Sequence, residues 1–175
     1  MKIPGIIYVL LFSVFFHSEI IGQESFVPVA NYSFDDASVE DQAGNSELYL
    51  RNSASLFKDP DRGQVLRFSS SDESYAVFNK QLLDSDSSTI SFFFYWEDVG
   101  ATSWHQLFEI YNFQTGSNIY LTPANGWTDG CSLIQDANDQ YGIYEAIHNQ
   151  SLPKNQWMHL TVTWNDNLAS VYIDG

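Results

Sequence analysis

The chain has 175 residues, a length that suits one domain with a sizeable core, and aromatic side chains make up 16% of it, which excludes general disorder. Seven Lys and Arg stand against 22 Asp and Glu, so the formal net charge is -15 at pH 7. Such an acidic chain lacks the basic surface that phosphate backbones and anionic lipids require, which excludes nucleic acid as a partner and leaves cations and neutral polymers open.

The N-terminus has the pattern of a signal peptide. Lys2 supplies a positive start, residues 3–16 form an apolar run, and polar residues follow. We expect residues 1–22 to be removed, leaving a secreted mature domain of residues 23–175 with no membrane partner. A retained anchor is the alternative, because residues 3–21 approach the roughly 20 that a membrane span needs, although the polar residues at its end oppose it.

Turn signals recur about every 8 to 12 residues, and none of the apolar runs keeps a helical period for more than one or two turns. This spacing predicts an all-β sandwich or barrel. In chain order, we expect strands at residues 26–34, 48–50, 65–68, 75–78, 90–96, 106–113, 118–121, 132–134, 142–147, 157–164 and 168–173. The run 90–96 is apolar on both faces, which is typical of a strand that is covered on each side or that lines a groove.

The last two strands are predicted to form a hairpin. Alternation gives its first strand one apolar face and one mixed face. The apolar face carries Met158, Leu160, Val162 and Trp164, and the mixed face carries Trp157, His159, Thr161 and Thr163. We therefore expect His159 to be hydrogen-bonded within the sheet rather than to act as a metal ligand or a catalytic base.

The chain has one cysteine, Cys131, which cannot form an internal disulfide. This usage is ordinary in bacterial exported proteins and favours a bacterial source. Cys131 is expected to be a small buried side chain.

Seven segments carry a resemblance to a known family: YSFD at 32–35, DQAGN at 41–45, GQVLRF at 63–68, ISF at 90–92, LFE at 107–109, QWMHLTVTW at 156–164 and VYIDG at 171–175. Their order and spacing resemble the bacterial laminin-G-like, concanavalin A-like jelly-roll domain over almost all of the mature chain. The resemblance implies an all-β sandwich of two curved antiparallel sheets in a jelly roll. It also implies a carbohydrate-active or adhesive secreted protein, often with a structural Ca2+.

One departure from the family concerns the end of the chain. In the family, the strand that matches residues 171–173 is followed by further chain, including a late strand beside the first one. The resemblance therefore implies that residues 23–175 lack their last strands, or that these strands are supplied elsewhere. We expect an unpaired edge at residues 171–173 and an opening strand without its usual partner.

The loop after the opening strand is the candidate calcium site. Calcium takes oxygen ligands from carboxylates, amides and backbone carbonyls, and a tight turn can bring several of them together. Asp41 and Asn45 carry such oxygens, and Gly44 permits the turn. The alternative is a solvated turn in which the Asp and Asn side chains bond to the local backbone.

Two tryptophans in loop contexts are the candidate sugar-binding residues. Trp104 and Trp127 can stack on a polysaccharide or glycoconjugate, with Asn125 and Asp129 nearby to bond its hydroxyl groups. Packing in the core is the alternative for both. Core packing is expected for the tryptophans within strands, Trp96, Trp157 and Trp164.

Catalysis within this chain is not expected. A retaining glycoside hydrolase needs two carboxyl groups about 5 to 5.5 Å apart, most simply at alternate positions of a strand. The sequence shows no such pair, because Glu109 has Leu107 and Tyr111 as its same-face neighbours, and it has no Gly-x-Ser-x-Gly motif. We expect a secreted non-catalytic module that binds carbohydrate or acts in adhesion. The alternative is a structural spacer that contacts neighbouring domains of a larger exported glycoside hydrolase or adhesin.

Overall fold

A computed structural model describes residues 6–15, 27–69, 71–78, 87–97, 105–112, 117–124, 131–137, 140–148, 151–165 and 168–175. These residues form thirteen strands and no helix. The first seven strands are β1 (Ile6–Phe15), β2 (Ala30–Tyr32), β3 (Leu48–Arg51), β4 (Ser55–Asp59), β5 (Gly63–Ser69), β6 (Tyr75–Phe78) and β7 (Ser87–Trp96). The others are β8 (Phe108–Asn112), β9 (Ser117–Thr122), β10 (Cys131–Ala137), β11 (Gln140–His148), β12 (Trp157–Asn165) and β13 (Leu168–Ile173).

All strand pairs in the described residues are antiparallel, which confirms the all-β prediction. The chain divides into two compact units, one of Met1–Val99 with Asn155–Gly175 and the other of Gly100–Lys154. Nothing in the described residues forms a helix that is both long and apolar enough to cross a membrane.

The first unit contains a seven-stranded sheet. Its strands run in the order β13-β12-β7-β1-β5-β4, and β2 pairs with β1 beside this path. β1 is made of the apolar run predicted to belong to a signal peptide, and it pairs with β5 on one side and β7 on the other. The opening strand β2 is shorter than predicted. It also has a partner that we did not expect, since Tyr32 lies opposite Phe12 of β1.

β13 lies at one end of this sheet and pairs with β12. No other strand of the described ranges lies beside it, in agreement with the edge expected at residues 171–173. Two hydrogen bonds hold its end: the His159 N–H donates to Asp174 Oδ1 at 2.8 Å, and the Asp174 N–H donates to the His159 carbonyl at 2.9 Å.

The two faces of the β7–β12 pair differ in burial. Apolar side chains of one face are at most 3% exposed: Ile90, Phe92, Phe94, Trp96, Met158, Leu160 and Val162. Burying a side chain of this size stabilises the fold by about 1.5–3 kcal/mol relative to leaving it exposed. Every second residue, from Thr89 to Tyr95 and from Trp157 to Thr163, is half-buried on the opposite face. The run 90–96 is thus fully covered on one face only.

A second cluster of buried side chains lies around β2 and positions the loop that follows it. Tyr32 is fully buried, with Phe34, Leu48 and Leu66 in the same cluster. Its hydroxyl donates to the Ser46 carbonyl at 3.2 Å, and burial raises the pKa of Tyr32 to about 12. The far end of the loop is therefore tied to the core.

The β3–β6 pair belongs to the same unit as a separate two-stranded sheet. The second unit holds a four-stranded sheet in the order β11-β10-β9-β8. Cys131 at the start of β10 is 2% exposed and forms no disulfide, which confirms the prediction of a buried thiol. Burial raises the pKa of this thiol to about 12, so the thiol stays protonated at neutral pH and is not an activated nucleophile.

Candidate functional site

The structure describes only some of the predicted site residues. Asp41, Gly44 and Asn45 lie in the described loop after β2. The four predicted sugar-binding residues, Trp104, Asn125, Trp127 and Asp129, lie outside the described residues. Their role stays a prediction.

The carboxylate of Asp41 organises the loop after β2. Its Oδ1 accepts hydrogen bonds from the N–H groups of Asn31 at 2.7 Å and Ala43 at 2.9 Å. Its Oδ2 accepts from the N–H groups of Asn45 at 2.8 Å and Ser46 at 3.0 Å. The bond to Ala43, two residues on, is the local Asx-turn that the sequence left open as an alternative to calcium.

The other two loop residues also have structural roles. Gly44 has a φ of 75°, in the left-handed region that glycine adopts without strain, and its N–H donates to the Asp41 carbonyl at 2.9 Å. The side-chain amide of Asn45 donates to the Val29 carbonyl at 2.7 Å. Together these contacts fasten both ends of the loop to the chain around β2.

These contacts do not fit calcium bound directly to Asp41. A carboxylate offers about four lone-pair sites, and the four backbone N–H groups occupy about that many. Burial raises the pKa of Asp41, but the hydrogen bonds from Asn31, Ala43, Asn45 and Ser46 outweigh it and leave the pKa below its ordinary value. Within the described residues, no group of three or more His, Cys, Asp or Glu side chains is arranged to hold a metal ion. Calcium binding by this protein stays a prediction.

The half-buried face of β7 and β12 carries a row of aromatic side chains, which we call the aromatic strip: Phe93, Tyr95, Trp157 and His159. Cross-strand pairing brings them together, because Trp157 lies opposite Tyr95 and His159 opposite Phe93. The ring centroids of Tyr95 and Trp157 are 5.6 Å apart, and those of Phe93 and His159 are 4.7 Å apart.

One end of the aromatic strip is charged. The guanidinium of Arg62, in the turn between β4 and β5, lies 4.3 Å from the Phe93 ring centroid and 5.8 Å from that of Trp157. Burial raises the pKa of Tyr95, and the charges of Glu97, Asp59 and Asp61 raise it further. Three carboxylates and one guanidinium therefore act at the Tyr95 end.

Hydroxyl groups continue the row beyond the aromatic strip. Ser91 Oγ lies 2.8 Å from His159 Nε2 and 3.1 Å from Thr161 Oγ1. His159 is thus hydrogen-bonded within the sheet, as the sequence predicted. The arrangement joins flat apolar rings to hydroxyl, imidazole and guanidinium groups on one half-buried face.

The sequence predicted that Trp157 and His159 share a face, but it also predicted core packing for Trp157. Trp96 is 3% exposed and packs in the core as predicted, but Trp157 lies half-buried on the opposite face. The alternation of side chains along β12 already indicated the position of Trp157, because Trp157 and His159 lie on the face opposite Met158 and Leu160. Arg62 gave no signal, because its contact with Phe93 joins residues that are far apart in the chain.

Comparison with known proteins identifies the family. The family model of the concanavalin A-like lectin/glucanases superfamily, of laminin-G type, matches residues 70–175. This range is more than half of the chain, so the chain belongs to that family. No curated protein and no solved structure matches it. The match begins after β5 and thus leaves out the Asp41 loop, whereas the sequence resemblance extended over almost all of the mature chain.

Proposed function

We propose that this chain is a secreted, non-catalytic module that binds carbohydrate. The observation that carries the proposal is the aromatic strip, because half-buried aromatic rings beside polar groups combine apolar ring surface with the hydrogen-bonding groups that sugars need. Membership of the concanavalin A-like lectin/glucanases superfamily supports it, since domains of this type commonly bind carbohydrates or other ligands. The −15 formal charge favours neutral over anionic polymers.

The non-catalytic part of the proposal rests on the acidic residues of the strands. Glu109, the acidic residue of β8, accepts a hydrogen bond from the Asn118 side chain at 2.8 Å. Its same-face neighbours in the sequence are Leu107 and Tyr111, so it has no second carboxylate at alternate positions of its strand.

Affinity electrophoresis against a panel of soluble polysaccharides tests the proposed function. We expect retardation in at least one neutral gel, such as mixed-linkage β-glucan, xylan or galactomannan, and no release of reducing sugar from that polymer. Migration unchanged in every gel would contradict carbohydrate binding. Release of reducing sugar would contradict the non-catalytic role.

Secretion is the second part of the proposal, and it rests on the sequence pattern of residues 1–22. Cleavage after residue 22 would remove β1 and leave β5 and β7 without the strand that they share. N-terminal sequencing of the exported protein tests the proposal, with a start near Gln23 expected and an intact Met1 contradicting it.

An adhesive or spacer role is the second candidate, and one surface favours it. The β3–β6 pair exposes three large apolar side chains: Tyr49 is 42% exposed, Tyr75 is 51% exposed and Val77 is 40% exposed. Tyr49 and Val77 lie opposite each other, so they form one patch rather than scattered positions. Absence of glycan binding throughout the panel would favour this candidate.

A further inference from the structure

The β3–β6 pair presents a second surface, made of different residues from the aromatic strip. Apolar side chains on one face of the pair belong to the buried cluster around Tyr32 or pack on it: Leu48, Leu50, Ala76 and Phe78. Exposed side chains form the opposite face, which we call the outer face: Tyr49, Arg51, Tyr75 and Val77. Among the described strands, β3 and β6 pair only with each other. Removal of residues 1–22 therefore leaves this pairing in place.

The outer face has the composition of a protein-binding surface. Tyr75 is 51% exposed, Tyr49 is 42% exposed and Val77 is 40% exposed. The Arg51 guanidinium lies 5.5 Å from the Tyr49 ring centroid, and cross-strand pairing places Tyr75 opposite Arg51. Tyrosine and arginine are enriched at protein interfaces, where they contribute a large share of the binding free energy. This composition favours a polypeptide as the partner.

Carboxylates surround the outer face, and we call them the acidic rim. At the start of β3, the exposed residues Glu40 and Glu47 lie opposite each other in an isolated bridge, where like charges repel. At its end, the Asn52 side chain donates at 2.9 Å to the carbonyls of Asp72 and Glu73, which are also exposed. These four carboxylates outnumber the one guanidinium of the outer face. The acidic rim therefore attracts a cationic partner and repels a second copy of this chain, whose formal charge is -15.

The size of the outer face limits the size of the partner. β3 and β6 have four residues each, so at about 3.3 Å per residue the face is about 13 Å long and two strands wide. A stable protein–protein interface takes about 800 Å² from each partner, which four partly exposed side chains do not supply. A short extended segment matches this area, whereas a second copy of the chain needs contacts elsewhere.

We propose that the outer face binds a short cationic segment of a partner polypeptide, in which aliphatic residues alternate with Lys or Arg. The aliphatic side chains pack on Tyr75 and Val77, and the cationic side chains lie near the acidic rim. A cation over the face of a tyrosine ring adds to this attraction. The interaction goes beyond carbohydrate binding and does not depend on it.

Fluorescence anisotropy of the purified exported protein with three labelled octapeptides tests the proposal. The peptides alternate Lys-Val, Lys-Ser or Glu-Val. We expect the Lys-Val peptide to bind about tenfold more tightly than the Lys-Ser peptide, because only its valines pack on the outer face, and the Glu-Val peptide to show no binding.

Variants of the outer face locate the binding. Tyr75→Thr and Val77→Thr keep β-branched side chains, which strands favour, and should each weaken Lys-Val binding about threefold to tenfold without changing Lys-Ser binding. The matched control is Tyr111→Thr, which removes an exposed tyrosine of the second unit and should change neither. Glu73→Gln should weaken binding of both cationic peptides about twofold to threefold, and Glu109→Gln, an exposed carboxylate of the second unit, should not.

The contradicting outcomes are distinct. Equal binding of the Lys-Val and Lys-Ser peptides would show attraction by net charge alone and overturn the proposal, as would wild-type Lys-Val binding by Tyr75→Thr and Val77→Thr. A dimer in sedimentation velocity that Tyr75→Thr abolishes would assign the outer face to a second copy instead. Both variants should keep the wild-type retardation in polysaccharide gels, and a loss there would make this face part of carbohydrate binding. Unchanged thermal unfolding is required of each variant, and Glu73→Gln, in an exposed turn, is the variant least able to disturb the strands.

Discussion

The Asp41 loop and the aromatic strip use their polar groups in opposite ways. In the loop, four backbone N–H groups occupy the carboxylate of a side chain that is 9% exposed. In the strip, half-buried rings lie beside hydroxyl groups and an exposed guanidinium. The loop carboxylate is occupied by the backbone around it, whereas the polar groups of the strip lie beside aromatic rings.

The largest expected effect is on stability, and it tests whether Asp41 holds the loop together. Asp41→Ala removes the acceptor of four backbone donors, and we expect it to lower the free energy of unfolding by about 3 kcal/mol or more. Urea denaturation measures the change. Asp35→Asn is the matched control, because Asp35 is an exposed neighbouring carboxylate outside this network. A loss of less than about 1 kcal/mol in Asp41→Ala would contradict the structural role.

A smaller effect on stability is expected when the pH is lowered. Because the folded pKa of Asp41 lies below its unfolded value of about 3.9, its contribution to stability is complete above that value and is lost as pH falls through the folded pKa. The stability difference between wild type and Asp41→Asn should therefore stay constant down to about pH 5 and shrink as the pH falls below about 4. Urea denaturation across this range measures it, and a constant difference would show that the charge of Asp41 has no part in the fold.

The smallest effect is expected on the melting temperature when calcium is removed or added. With the lone-pair sites of Asp41 occupied, chelator should change the melting temperature of wild type and Asp41→Asn by the same amount. Thermal unfolding with EDTA and with added Ca2+ measures both. A drop in wild type that Asp41→Asn abolishes would support the calcium site that the sequence predicted.

The sequence predicted the parts of the fold that follow from local pattern. The alternation of Met158, Leu160 and Val162 against Trp157 and His159 correctly gave the strand β12, its buried face and the hydrogen-bonded histidine. The DQAGN turn correctly gave a tight loop, because Asp and Gly act there on their immediate neighbours.

Contacts between distant segments could not be predicted from the sequence. The pairing of residues 6–15 between β5 and β7 could not be read from an apolar run that also fits a signal peptide. The donors to Asp41 include Asn31, which is ten residues away in β2. These partners depend on strand order, which the side-chain period of a single strand does not specify.

The sequence by itself determined that this chain is built of strands, that it is acidic, and which side chains share a face, because these properties depend on composition and on the two-residue period of β-structure. Only the tertiary structure decided which strands lie beside β12, and that Asp41 bonds to backbone. It also decided that Arg62 meets Phe93 and Trp157. The physical reason is that burial and hydrogen-bond saturation are properties of packed neighbours, and those neighbours come from strands far apart in the chain.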